Sequence, residues 1–379
     1  MRLDKNMQVF FALVRAGLWE KIDLCSDIQM LKKETRNKAI DWNKVYRQAN
    51  EQSVLGLVLA GIGYLPNEQR PPKVQLLQWI GEIQIIEQRN RSMNNYISWL
   101  IERLKEENIY AILVKGQGIA QCYNQPLWRS SGDVDLLFSE TNYEKAKRVL
   151  IPLANSVDKE FKLYKHLGLI MPGKYVVELH GTLHCRLSRS VDRGIDEAQR
   201  YVFDSGGTRS WINSNIQVFL PAPDSDVIFL FTHILKHFYQ GGVGLKQICD
   251  LCRFLWIYHE QIDKHLLKKR LIEMKILQEW KAFAAYMADF LGMPIEAIPL
   301  YSIDGKWSSK AKAINSFVME VGNFGHKRVS DTASNHSFLV NKAIAFWHRT
   351  IDSFRHFFIF PVNSIKAWWM VLITGINPI

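Results

Sequence analysis

Asp133 and Asp135 stand two apart in Gly132-Asp-Val-Asp-Leu-Leu-Phe138. On an extended strand, residues i and i+2 point to the same face. The two carboxylates therefore project side by side while Val134 and Leu136 face the opposite layer. Anions at that distance repel unless a cation lies between them, and the chemistry the spacing offers is capture of a divalent metal by hard oxygen ligands. An exposed, hydrated pair of acids has the same spacing, so both readings stand on this pattern alone. A third carboxylate, Glu178, sits in the apolar run Tyr175-Val-Val-Glu-Leu-His180. An ionised carboxylate buried alone is costly, so Glu178 needs a partner. His180, two residues on, shares its face and reads either as a support behind the metal's ligands or a contact to substrate, or as a histidine bonded to backbone.

Two groups of residues suit phosphate. Lys115-Gly116-Gln117-Gly118 follows a short apolar run and opens a helix, the context in which glycines let backbone N–H groups approach an anion. A plain strand-to-helix turn has the same letters. Arg129-Ser130-Ser131, just before the acid pair, offers a guanidinium and two hydroxyls. Further on, His233 and His237 lie four apart on a predicted helix. That spacing suits zinc, but no Glu lies between them and no third ligand is apparent. We place His180, His237 and Asp250 near an acceptor pocket. His166 is the least informative histidine.

The elements that must carry these residues follow from periodicity. Residues 1 to about 107 read as helices, with apolar positions at three and four in Val9, Leu13 and Leu18 and again from Trp42 to Leu57. One long helix is predicted over 74–105. At Ile109 the pattern changes to a buried strand, 109–114, then a short helix, 117–124, a strand, 133–138, and a helix, 141–150. Two extended runs, 165–171 and 175–183, are joined by Pro172-Gly173. Beyond about 190 the chain passes through polar, Gly-rich material such as Asp204-Ser-Gly-Gly207. It turns helical at Pro223, where Asp224 or Ser225 can cap 226–239. Loops are expected near 302–310 and 322–338. The fold class is α+β: an N-terminal helical region (1–107), a small mixed-sheet core (108–190) and a C-terminal, mainly helical region (191–379).

In order, Leu113-Val-Lys-Gly116, Arg129-Ser-Ser-Gly-Asp133-Val-Asp135-Leu-Leu-Phe and Val177-Glu-Leu-His180 resemble the uncharacterised nucleotidyltransferase family of the polymerase-beta-like superfamily. Phe231–Phe238 and Gly242–Asp250 resemble its downstream region, and the likeness runs in detail over about 40–255. Gln117 stands where the superfamily usually has Ser or Gly after the first glycine, and the gap to Asp133 is longer. The resemblance implies transfer of a nucleoside monophosphate from an NTP to a hydroxyl, with release of pyrophosphate. Asp133, Asp135 and Glu178 would hold Mg²⁺ or Mn²⁺, with Glu178 also taking the proton. Lys115, Arg129, Ser130 and Ser131 would meet the phosphates, with Gly116 and Gly118 shaping the turn. The acceptor would be a small metabolite, a protein or tRNA. An Asp-x-Asp glycosyltransferase and a non-catalytic nucleotide- or nucleic-acid-binding module are the alternatives.

Composition agrees with a folded, multi-unit chain. With 379 residues, 47% hydrophobic and 22% charged, it is neither a disulfide-stapled miniature nor disordered. The net charge of +11 favours phosphate-bearing partners. Cys25, Cys122, Cys185, Cys249 and Cys252 form an odd, scattered set, which predicts a reducing compartment, the cytoplasm. The Cys249-x-x-Cys252 pair reads as two core thiols on one helix. No signal peptide is expected at Val9–Leu18. The apolar tail, Ala367–Ile376, is about half the roughly 20 residues a spanning helix needs; a docked helix or weak peripheral membrane contact through its tryptophans fits better.

Overall fold

The computed structural model describes residues 4–19, 40–161, 165–322 and 338–374. Cys25 lies outside them, as does the 322–338 loop apart from its ends. Four helices come first: α1 (Lys5–Leu18), α2 (Trp42–Glu51), α3 (Leu55–Ile62) and the 34-residue α4 (Lys73–Glu106). The α+β core follows, with β1 (Ile112–Val114), α5 (Gly116–Ala120), β2 (Asp133–Leu137), α6 (Glu140–Leu150), β3 (Ser156–Val157), β4 (His166–Met171) and β5 (Tyr175–His180). Next come α7 (Arg189–Asp204), β6 (Thr208–Asn213) and β7 (Ile216–Pro221). The chain continues through α8 (Pro223–Gln240), α9 (Leu245–Tyr258), α10 (Lys264–Glu273), α11 (Leu277–Leu291), α12 (Gly305–Val321), α13 (Phe338–Ile359) and α14 (Pro361–Thr374).

Among the described residues the strands form one seven-stranded mixed sheet, ordered β3-β4-β5-β2-β1-β7-β6. The central pair β2/β5 is parallel and puts Asp135 opposite Glu178; β1/β2 is antiparallel and puts Val114 opposite Asp135. The hairpin β6–β7 lies in the stretch whose composition reads as polar and Gly-rich. Its strands flank Ser214-Asn215, both at positive φ (48° and 69°), the conformation a two-residue hairpin turn requires. β7 pairs in parallel with β1, so the sheet extends beyond residue 190. The expected side-chain cap of α8 is also absent: Pro223 takes the first helical position, where its missing N–H costs nothing. Asp224 instead accepts from the Asp263 N–H at 2.8 Å.

The sheet separates two apolar cores. On one face Val134, Leu136, Val177 and Leu179 pack with Met93, Ile97, Leu100 and Leu104 of α4 and with Tyr143 and Leu150 of α6. The other face joins the larger helical core, where Ile112, Val114 and Leu137 meet α8 and α9. α4 spans both cores, with Trp79 and Ile83 in the helical one and Met93–Leu104 under the sheet. At the junction, buried Asn90 donates to the carbonyls of Leu127 (2.7 Å) and Arg129 (2.8 Å) and accepts from Gln117 (2.8 Å). This tie holds the loop that leads into β2. No described helix is long and apolar enough to cross a membrane; α14 buries Ala367 and exposes Val362, Ile365 and Trp369.

α1 and α3 cross in reciprocal glycine contacts. A Cβ on Gly17 would lie 2.1 Å from the Leu57 carbonyl oxygen, and one on Gly61 would lie 2.2 Å from that of Leu13. Gly81, in the third turn of α4, has nothing within 4 Å of its absent Cβ. Gly61→Ala is expected to cost about 1–3 kcal/mol by forcing the helices apart. Gly81→Ala should gain roughly 0.5–1 kcal/mol through helix propensity. Urea unfolding of the two variants checks both signs.

Candidate active site

β2 and β5 place the acids as the i, i+2 spacing requires. One oxygen from each of Asp133, Asp135 and Glu178 falls within 4.8 Å of the others. Val134 and Leu136 are fully buried on the opposite face, which fixes the register and with it the direction of the carboxylates. The surrounding cleft has a volume of about 250 Å³, and its walls come from the Lys115-Gly116 turn, the loop before β2, strands β2, β4 and β5, the segment 182–186 and helices α8 and α9.

Protein cations already answer part of the repulsion. Lys115 Nζ lies 3.0 Å from Asp135 Oδ1, and His180 Nε2 lies 2.8 Å from the same oxygen. Burial penalises the Asp135 charge, but Lys115 and the His180 hydrogen bond hold its carboxyl below the ordinary range. Burial likewise opposes the Glu178 charge. Hydrogen bonds from His166 and His180 pull it far below the ordinary range. Burial disfavours the charged forms of Lys115 and His180, yet the facing carboxylates push both pKa values up. Asp133 differs: no hydrogen bond or ion pair to it is found among the described residues. The Asp135 charge, then burial, then Glu178 raise its pKa from 3.8 to about 6.

Lys115 reaches Asp135 from a backbone at φ 57°, ψ −142°. This conformation favours glycine and costs a side-chain-bearing residue roughly 1–3 kcal/mol. Gly116 follows at φ 40°. Gly118 has a packing role: a Cβ there would meet Leu220 Cδ2 of β7 at 2.7 Å. The Gln117 side chain is buried and points to Asn90 and Met93, so it ties the turn to α4 and leaves the cleft to Lys115 and Gly116.

Arg129 is buried with its fork turned to Asp250. Nε donates to Oδ1 and Nη2 to Oδ2, both at 2.7 Å. Nη1 donates to Ser131 Oγ at 2.8 Å and to the Ser130 carbonyl at 3.3 Å. Asp250 also accepts from the Tyr123 hydroxyl at 2.8 Å. Arg129 thus organises the Ser130-Ser131 loop, and Asp250 lines the cleft with both oxygens engaged. His237 is buried, and its ring packs edge-on to His233 at 4.4 Å. Burial and the nearby Lys236 push the His237 pKa down to about 3, and burial and Lys115 push that of His233 well below its ordinary value. Both rings are neutral at pH 7.

Three cleft residues escaped the sequence reading. His166, at the start of β4, sets Nε2 3.2 Å from Glu178 Oε2. Lys246 approaches the Ser130 carbonyl at 3.4 Å, its pKa lowered to about 8 by burial and by Arg129. Lys236 lines the same cleft. The one signal for Lys236 was a lysine inside the mostly apolar and aromatic run Phe229–Phe238.

A family model described as uncharacterised nucleotidyltransferase matches residues 38–292. The chain belongs to that nucleotidyltransferase family. The match takes in α2, the whole sheet and the helices through α11, so it includes every wall of the cleft. No curated protein matches the chain. Among solved structures, an antigenic nucleotidyltransferase-like protein from Paracoccidioides brasiliensis is 17% identical, with 54% of this chain and 95% of that one covered and a TM-score of 0.32. That likeness is too distant to bear on the site.

The donor set fits a hard divalent ion: three carboxylates converge, and one has no protein partner among the described residues. A folded-state pKa above the unfolded value means that Asp133 stabilises the metal-free fold below about pH 4. That contribution is lost as pH rises through about 6. Mg²⁺ competes with this proton, so its affinity should be about tenfold weaker at pH 5 than at pH 7. Calorimetric titration at the two pH values reads the difference, and Asp133→Asn should abolish it while raising the metal-free stability by roughly 1–2 kcal/mol. For the buried ion pair, Asp250→Ala should cost about 3–5 kcal/mol, and the double replacement Arg129→Met, Asp250→Leu should restore more than half of it in a denaturant-monitored cycle.

Proposed function

We propose that this nucleotidyltransferase moves a nucleoside monophosphate from an NTP to a hydroxyl acceptor. The observation that carries the reading is the convergence of Asp133, Asp135 and Glu178 beside Lys115 in a cleft that lies wholly within the family match. The acceptor oxygen bonds to the α-phosphorus, and the bond from that phosphorus to the bridging oxygen breaks. Pyrophosphate leaves with the electron pair, and the acceptor proton passes to Glu178. Asp133, Asp135 and Glu178 would hold Mg²⁺ or Mn²⁺, which when bound supplies Lewis-acid stabilisation of the charge on the transferring group.

The remaining roles belong to side chains of this chain. Lys115, fixed by its strained backbone, carries a positive charge beside the acids and meets the phosphates as a point charge. Lys246 supplies a second ammonium from α9 beside the Arg129–Ser131 loop. Arg129 acts through position: its bonds to Ser130, Ser131 and Asp250 hold the loop that enters β2. His180 orients Asp135 and Glu178 together. The four described cysteines are buried and form no disulfide, which supports a cytoplasmic setting.

The test is Mg²⁺-dependent binding of ATP, GTP, CTP and UTP, followed by transfer from labelled NTP. Wild type should bind at least one NTP only with metal. Asp133→Asn and Asp135→Asn should lose transfer while remaining folded, and Glu178→Gln should slow it roughly 10²- to 10⁴-fold. Full activity in either aspartate variant would sink the mechanism. NTP binding without turnover on any hydroxyl acceptor would favour the binding module.

A further inference from the structure

The geometry points to a second metal site, formed by His166, Glu178 and His180, that takes a transition-metal ion of the Zn²⁺ class. His166 opens β4, and His180 closes β5 directly across the ladder from it. Glu178, two residues before His180, shares that face. One ring nitrogen of each histidine and one Glu178 oxygen lie within 4.8 Å of one another, and the rings stand 4.9 Å apart.

The hydrogen bonds within this trio are longer than the neighbouring histidine–carboxylate bonds. Elsewhere in the protein the histidine–carboxylate bonds are short, at 2.8 Å for His180–Asp135 and 2.7 Å for His184–Asp196. These are the lengths of charge-assisted bonds. The two Nε2 distances to Glu178 Oε2 are 3.2 and 3.3 Å. Ligands held tetrahedrally around an ion at about 2.0–2.1 Å are separated by about 3.3 Å along each edge, so two edges of such a site are already at length. A set of two imidazoles and one carboxylate is the composition of an open zinc centre, with the fourth position left to solvent or substrate. About 30% of the His166 and Glu178 side chains is exposed, which gives the ion a way in.

Nitrogen ligands also set the site apart from the all-oxygen set of Asp133, Asp135 and Glu178, since imidazole favours Zn²⁺ over Mg²⁺. Binding requires both Nε2 atoms free of protons, so His180 gives up its Nε2–H contact to Asp135 and keeps its proton at Nδ1. Lys115 and Lys236 stand nearby and oppose a cation; the strongly anionic Glu178 at the centre of the trio offsets them. Because Glu178 belongs to both ligand sets, an ion on the histidine side draws on a carboxylate that the oxygen set also uses.

Metal content tests the proposal without any assay of nucleotidyl transfer. The full chain, stripped with chelator and titrated calorimetrically with Zn²⁺ at pH 7.5, should bind one ion at this site. His166→Gln should weaken that binding at least tenfold. Asp133→Asn should leave it within about threefold and should instead weaken Mg²⁺. Co²⁺ in place of Zn²⁺ should give the intense visible bands of a four-coordinate ion in wild type, and these should be lost in His166→Gln. Thermal melts report whether each variant is folded; a second variant, His166→Asn, covers a failure of the first. No Zn²⁺ binding by wild type, or wild-type affinity in both His166 variants, would overturn the site. Equal loss in Asp133→Asn and His166→Gln would also overturn it, by placing the ion among the aspartates.

Discussion

Three carboxylates brought together on one partly buried sheet face repel, and much of the surrounding structure answers that repulsion. The apolar side of β2 and β5 locks the register, so the acids cannot relax by slipping along the ladder. Lys115 is held in a glycine-like backbone conformation, and its ammonium reaches Asp135. His180 bridges Asp135 and Glu178 from the same strand face. These contacts leave Asp133 only partly compensated by Lys115 and Lys246, and the Asp135 charge raises its pKa, an excess of negative charge that a divalent cation would offset. Strain at Lys115 lowers the stability of the fold, and the repulsion at Asp133 is the term that a bound cation would relieve.

The second constraint lies between the sheet and the helices. Arg129 leaves the loop before β2 and closes on Asp250 of α9, so the strand that carries the aspartates is pinned to the helical wall of the cleft. Asn90 pins the same loop from the other side, where α4 passes from one core to the other. A buried ion pair adds little net stability compared with apolar residues of equal size. Its contribution here is geometric, because the end of the loop sets where Asp133 begins.

The strands that carry the acids were legible because short-range pattern decides them. Asp133-Val-Asp-Leu alternates, Ile112–Val114 is uniformly apolar, and Pro172-Gly173 turns one extended run into the next. The long α4 was legible from its length and its lack of proline. The hairpin β6–β7 was not: its turn is Ser-Asn where Asn-Gly would signal most strongly, and most of β6 is not buried. The partners of Arg129 and His166 were hidden for a different reason. Asp250 is 121 residues from Arg129, and the register that sets His166 against His180 depends on how two strands pair rather than on either strand's own letters.

Glu178 shows why residue type alone underdetermines chemistry in this cleft. Its sequence setting, a carboxylate in an apolar run, demands a partner but does not say which. The fold supplies candidates on both sides: two aspartates across the parallel ladder from β2, and two histidines, one on its own strand and one across the antiparallel ladder from β4. The parallel neighbour sets it beside Asp135, where it could serve as an oxygen ligand; the antiparallel neighbour makes it the anion between two imidazoles. A strand with opposite pairing senses on its two sides thus gives one carboxylate two chemically different ligand sets, one suited to a hard ion and one to a softer ion. With Glu178 in both sets, an ion on one side would reduce the negative charge that the carboxylate offers to the other.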